Sequence, residues 1–229
     1  MNGSQLLQAR QSRNWEQLET AEKLGVSQSY LSLLETGKRK ITKKLSHHAV
    51  KIFGLSVTSL PIEIDLDDLI SVKNEELARD LGMLGYPKLA YLKSNRKKNP
   101  LEVLFLALKT GNLESRLVEA LPWLVFTYPG IDWEKLYKLV KINDLQNRLG
   151  FVVCLARKLA VAVKDAQKAE FLQEKELELS NSRLLREDSF SRDWLTETEK
   201  KWLDKNRSKE AKFWRVLSDL EVKHLDYVK

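Results

Sequence analysis

The sequence predicts an all-α protein: a compact series of short helices at the amino terminus, then a larger helical bundle domain. Three observations lead there. Apolar residues recur three and four apart through most of the 229 residues. Glycines stand where these runs should end, and Ser, Thr, Asn or Asp where they should begin. The only sustained alternation is the short "IEIDL" at 62–66, room for one stray strand at most.

Composition narrows the function. The chain is 43% hydrophobic, enough to bury one large core or two smaller ones, and its net charge of +7 favours an anionic partner. The excess is local: residues 1–60 hold nine Lys and Arg against four Asp and Glu, which is +5 of the +7. The single cysteine, Cys154, precludes an internal disulfide and sits in the apolar run "GFVVCLARKLAVAV", where a small buried thiol is expected. No stretch reaches the roughly 18 unbroken apolar residues of a membrane span, and the start lacks the apolar core of a secretory signal, so a cytoplasmic protein is expected.

The segments follow in order. Residues 1–60 carry short helical patterns. Residues 61–74 read as an acidic linker, opening at Pro61, which disfavours helix at Leu60 before it. From 75 to 168 the helical period persists, with Asn99 before Pro100 and Asp132 at helix starts and Gly111 and Gly130 past helix ends. Residues 169–192 are charge-rich and weakly apolar, which predicts a charged linker or a frayed helix end. In 193–229, "TETE" at 196–199 is a capping-box pattern ahead of two amphipathic helices, and Trp194, Trp202, Phe213 and Trp214 are the residues expected to dock them on the helical domain. Trp123, Phe126, Tyr128 and Trp133 form an aromatic corner expected in its core.

The amino-terminal pattern is specific. "QLETAEKLG" at 17–25 is a short helix ending at Gly25, and Ser27 caps the next one, so two helices flank a glycine turn. Ala21 is small where they cross, and Leu24, Val26, Leu31 and Leu34 fill the inner faces. Gln28, Ser29, Ser32 and Leu33 then face outward. Glutamine and serine can hydrogen-bond base edges in a major groove, and an outward apolar group can meet a thymine methyl. Past Gly37 the cations Lys38, Arg39, Lys40 and Lys43 suit backbone phosphates.

These residues resemble the lambda-repressor-like helix-turn-helix domain of phage repressors and xenobiotic-response-element regulators. Gln17 and Gln28 stand eleven apart, as in that pattern; "ETGKR" resembles the turn that follows, and "AVKIFGLSVTSL" the closing helix. The resemblance implies that Gln17 supports Gln28 and touches phosphate, and that Arg10 pairs with Glu35 as a structural element; Ser27, the cap of the second motif helix, is also expected among the DNA-binding residues. Thr20 and Trp15 replace the usual aliphatic residues, so packing around the first motif helix should differ. Leu33 replaces a polar group often found at that reading position.

Other chemistry is sparse. His47 and His48 lie side by side on a predicted helix with no third ligand nearby, so no metal site is assigned, and no cofactor motif, phosphate loop or nucleophile elbow is present. No enzyme is expected. "KSNRKK" at 93–98 is a second basic patch that could meet flanking phosphate. The partner expected is double-stranded DNA, bound by a homodimeric repressor. The stretch from 117 to 153 also resembles carboxy-terminal regions of toxin-linked bacterial repressors, which implies an alternative: an antitoxin that holds a cognate toxin or other protein partner and autoregulates its operon.

Overall fold

Helices alone make up the regular structure among the described residues, 1–64, 72–92, 97–190 and 195–225 of the computed structural model. They number twelve α-helices, with three short 3-10 turns and no strand; one isolated bridge joins Asp188 and Val216. The chain is all-α, in two compact units, Met1–Glu63 and Ile64–Lys229. Of "IEIDL", residues 62–64 are irregular and the rest lies outside the described residues.

In the first unit, α1 (Gly3–Ser12), α2 (Gln17–Leu24), α3 (Gln28–Glu35) and α4 (Lys43–Phe53) surround one core. Leu6, Ala9, Ala21, Leu24, Leu31, Leu34, Leu45, Ala49 and Phe53 fill it. Each helix is short because its ends are specified. Asn2 and Gln5 make a capping box on α1, Ser27 and Thr42 cap α3 and α4, and Gly25 and Gly54 take left-handed φ of 67° and 60° where α2 and α4 stop. Thr20 is fully buried, and the Trp15 ring lies 5.1 Å from that of Phe53 with Lys23 Nζ 4.8 Å from its centroid, so a ring replaces an aliphatic contact.

The second unit is built around α9 (Gln146–Ala162), whose residues 146–156 are all buried. Against it pack α7 (Ser115–Thr127), α8 (Trp133–Ile142) and α10 (Ala166–Ser180), while α5 (Asn74–Leu84) and α6 (Pro100–Lys109) close the other side of α7. The caps are local: Asn99 Oδ1 accepts from the Leu101 amide at 2.9 Å, and Asp132 Oδ1 from that of Lys135 at 3.0 Å.

Two expectations change here. Residues 169–180 are not a linker but most of α10, because Leu172 and Leu179 bury completely against α9 while Arg157 holds Glu176 at 2.6 Å and Lys175 holds Glu178 at 2.8 Å. Two apolar contacts two turns apart suffice when the facing side of the neighbouring helix is apolar. The tail forms α11 (Glu197–Asn206), with the capping box at Thr196 and Glu199, and α12 (Lys209–Phe213), only five residues long. Of its described aromatics Trp214 alone is buried; Trp202 and Phe213 stay about half exposed, and Trp194 lies outside the described residues.

Trp214 is held by an absence. A Cβ on Gly150 would come within 2.2 Å of the Trp214 ring, so the indole lies on bare α9 backbone. One turn earlier, Asn147 grips residues 184–186 through three hydrogen bonds of 2.9–3.1 Å. Arg148, 1% exposed, binds Asp188 Oδ1 at 3.1 Å, the Leu108 and Thr110 carbonyls at 2.7 and 3.0 Å, and the Ser189 carbonyl. Asp188 in turn pairs its backbone with Arg215 and Leu217. The aromatic corner divides: Trp123 meets Tyr86 at a tilt and Tyr128 edge to face, while Trp133 packs on Tyr137 and Phe171.

Candidate nucleic-acid interface

The site starts from a turn. Gly25 ends α2 in the left-handed region, its amide bonding to Glu22 and the amide of Val26 to Ala21, and Ser27 Oγ then accepts from the Tyr30 amide at 3.2 Å to start α3. Only glycine takes that backbone without a Cβ penalty. Leu31 and Leu34 bury inward, which turns Gln28 and Ser29 to the surface, with Ser32 half-buried and Leu33 37% exposed beside them. At eight residues, α3 is roughly 12 Å long, the span of a few base pairs.

Behind this face lies a chain of polar contacts. Arg10 Nε donates to Glu35 Oε1 at 2.7 Å and its Nη2 to Oε2 at 3.2 Å, a bidentate pair with the carboxylate almost wholly buried. Arg10 Nη1 reaches the Trp15 carbonyl at 3.0 Å. The bond to Glu35 raises the Arg10 pKa further above its already high value, so the guanidinium stays charged. Gln17 Nε2 donates to Glu35 Oε2 at 3.1 Å, and Gln17 Oε1 accepts from Gln28 Nε2 at 3.4 Å. The order of atoms is forced: an ionised carboxylate only accepts, so Gln17 turns its NH2 inward and its oxygen outward, and Gln28 must present NH2 to it.

The remaining candidates lie around this row. Ser27 Oγ and Ser29 Oγ are 3.2 Å apart at the start of α3. Lys38, Arg39 and Lys40 are exposed and have no carboxylate partner among the described residues. Lys43 differs, its Nζ lying 2.8 Å from Glu63 Oε2. In the second unit, Lys98 of the basic patch turns to Asp80 at 2.9 Å and Glu76 at 2.7 Å, while 93–96 lie outside the described residues.

Sequence reading missed two features. It did not join Gln17 to Glu35, because residues eighteen apart on different helices meet only through the helix crossing. It also passed over Gly3, the first residue of α1, where a Cβ would lie 2.2 Å from the Leu34 carbonyl oxygen, a close approach to the end of α3 that no local pattern marks.

Among the described residues no helix is long and apolar enough to cross a membrane, and no cluster of three or more His, Cys, Asp or Glu is placed to hold a metal. No curated protein and no solved structure matches the chain. The resemblance of the carboxy-terminal region to toxin-linked repressors finds no support there. Residues 6–60 match the helix-turn-helix family model, a family of DNA-binding regulators rather than enzymes. The amino-terminal unit of this chain is a helix-turn-helix domain.

Proposed function

We propose that the protein is a sequence-specific DNA-binding transcriptional regulator that acts as a dimeric repressor and reads its operator with α3. The observation that carries this reading is the amide of Gln28. One of its Nε2 hydrogens goes to Gln17; the other, with Oε1, is left for a ligand. A donor beside an acceptor on one planar group matches N7 and N6 of adenine at the major-groove edge. Ser29 and Ser32 are short enough to let the helix approach the bases, and Leu33 suits a thymine methyl.

Lys38, Arg39 and Lys40 then neutralise phosphates beyond the end of α3, and Gln17 and Ser27 meet backbone phosphate at helix starts, where amide dipoles favour an anion. Lys43 contributes less, because Glu63 already holds it. One such domain makes few base contacts. Two on one duplex raise affinity without new contact types, which is the reason for a dimer.

The test is selection of binding sites from randomised duplexes with the full chain, followed by footprinting. Two half-sites centred about one helical turn apart, or a multiple of it, are expected. Equal retention of all duplexes would sink the reading.

A further inference from the structure

Helices α9 and α10 form an antiparallel hairpin around a tight turn in which Lys164 takes a left-handed φ of 61°. Their outer faces leave an open groove of about 580 Å³. Its floor is apolar and small: Val161, Ala166 and Ala169. Val161 is 58% exposed, and Leu177, 67% exposed, continues the α10 stripe that runs through Ala166, Glu170 and Gln173. A small apolar floor bared to water beside the main packing element of a unit can be covered by another helix, and its alanines permit close approach of the backbones.

The charges say which helix. Arg157 is bound to Glu176, Lys168 to Asp165 and Lys175 to Glu178. Lys164 at the turn and Glu170 one to two turns into α10 both line the groove, both are exposed, and neither has an ionic partner in its own chain among the described residues. A surface with one free cation and one free anion flanking an apolar floor is complementary to itself. We infer that this groove is where a second copy of the chain docks, about a two-fold axis running between Lys164 and Glu170 in the plane of the interface. Lys164 of each copy then faces Glu170 of the other, twice over, as a closed isologous contact demands. Exposed ion pairs add little energy; burial of the Val161, Ala166 and Ala169 floor, with Leu177 beyond it, drives association, and the charges select the register.

The inference takes its purpose from the dimeric repressor proposed above, but its test uses no DNA. Loss of operator selectivity with the dimer intact would therefore count against that reading alone. Light scattering on the full chain should give the mass of two copies. K164E and E170K, each still folded by circular dichroism, should each weaken self-association at least about tenfold, because like charges then meet across the axis. Mixing the two variants in equal amounts should restore a dimer, since both cross-contacts become opposite in sign. V161E should stay monomeric in any mixture. A monomeric wild type, single variants that remain dimeric, or a mixture that fails to associate would each overturn the inference and leave the groove to a different partner or to solvent.

Discussion

Gln17 donates to the buried carboxylate of Glu35 at 3.1 Å, so a charge inside the domain sets which way an amide points at its surface. That amide oxygen is the one Gln28 meets, at 3.4 Å. The last contact is long against the usual 2.9–3.0 Å, so it orients Gln28 without locking it, and a stronger ligand can compete.

This relay predicts graded losses in DNA affinity. Gln28→Ala should lose about 1–3 kcal/mol on the selected operator and much less on random duplex, with the fold intact. Gln17→Ala, which removes the orienting bond but no base contact and keeps its backbone amide for phosphate, should lose about 1 kcal/mol. Fluorescence anisotropy titrations on both duplexes measure the two. If Gln28→Ala weakened both duplexes equally, α3 would not be the reader.

Arg10 and Glu35 should behave as a unit in stability. Arg10→Ala strands a buried carboxylate and should cost about 3 kcal/mol or more, whereas Arg10→Met with Glu35→Leu should cost much less, because neither charge is then left alone. Urea melts give both numbers. The double variant should fold yet discriminate poorly, since Gln17 has lost the acceptor that turned it. Additive costs would mean that the two side chains contribute independently.

Salt dependence separates the cations. Replacing Arg39 and Lys40 with Ala should weaken binding to all duplexes alike and reduce the slope of log K against log salt by about 0.9 for each phosphate no longer neutralised. Lys43→Ala should change the slope less, given its pairing with Glu63. A larger change from Lys43 would show that its bridge to Glu63 opens on DNA.

The Trp214 seat should fail from either side. Gly150→Ala puts a methyl group where the ring lies, and Trp214→Ala empties the site, a truncation that costs about 3–5 kcal/mol in buried positions. Both should speed proteolytic cleavage between 195 and 220 and leave the first unit untouched. Equal digestion rates would mean that the tail is held elsewhere.

Cys154 should be inert. Burial, then the neighbouring Glu176, pushes its thiol up to about 12, so no thiolate forms near neutral pH. Thiol reagents at about pH 8 should label the unfolded chain only. A folded pKa above the unfolded value of about 8.5 also means that stability falls as pH rises beyond that point, by ionisation of the unfolded thiol. Prompt labelling of the native protein would show that α9 opens locally.

Much of the amino-terminal unit was legible in sequence because its signals are local. A glycine that must turn left-handed, a serine that must cap, and leucines three apart define α2, the turn and α3 whatever packs around them, and the same holds for Asn99, Asp132 and Thr196 farther on. α10 was not legible. Its charges resemble those of a linker, and only the apolar wall of α9 makes Leu172 and Leu179 enough to hold a helix.

By itself, then, the sequence determined the helical class, the helix-turn-helix and the outward face of α3, through backbone preferences and apolar periods that each act within a few residues. The tertiary structure alone decided that Gln17 meets Glu35, that Lys43 is taken by Glu63, and that Trp214 lies on Gly150 while Trp202 stays in water. Those outcomes depend on side chains eighteen to sixty-four residues apart being brought within a few ångströms. A helix crossing fixes such distances; a sequence period does not.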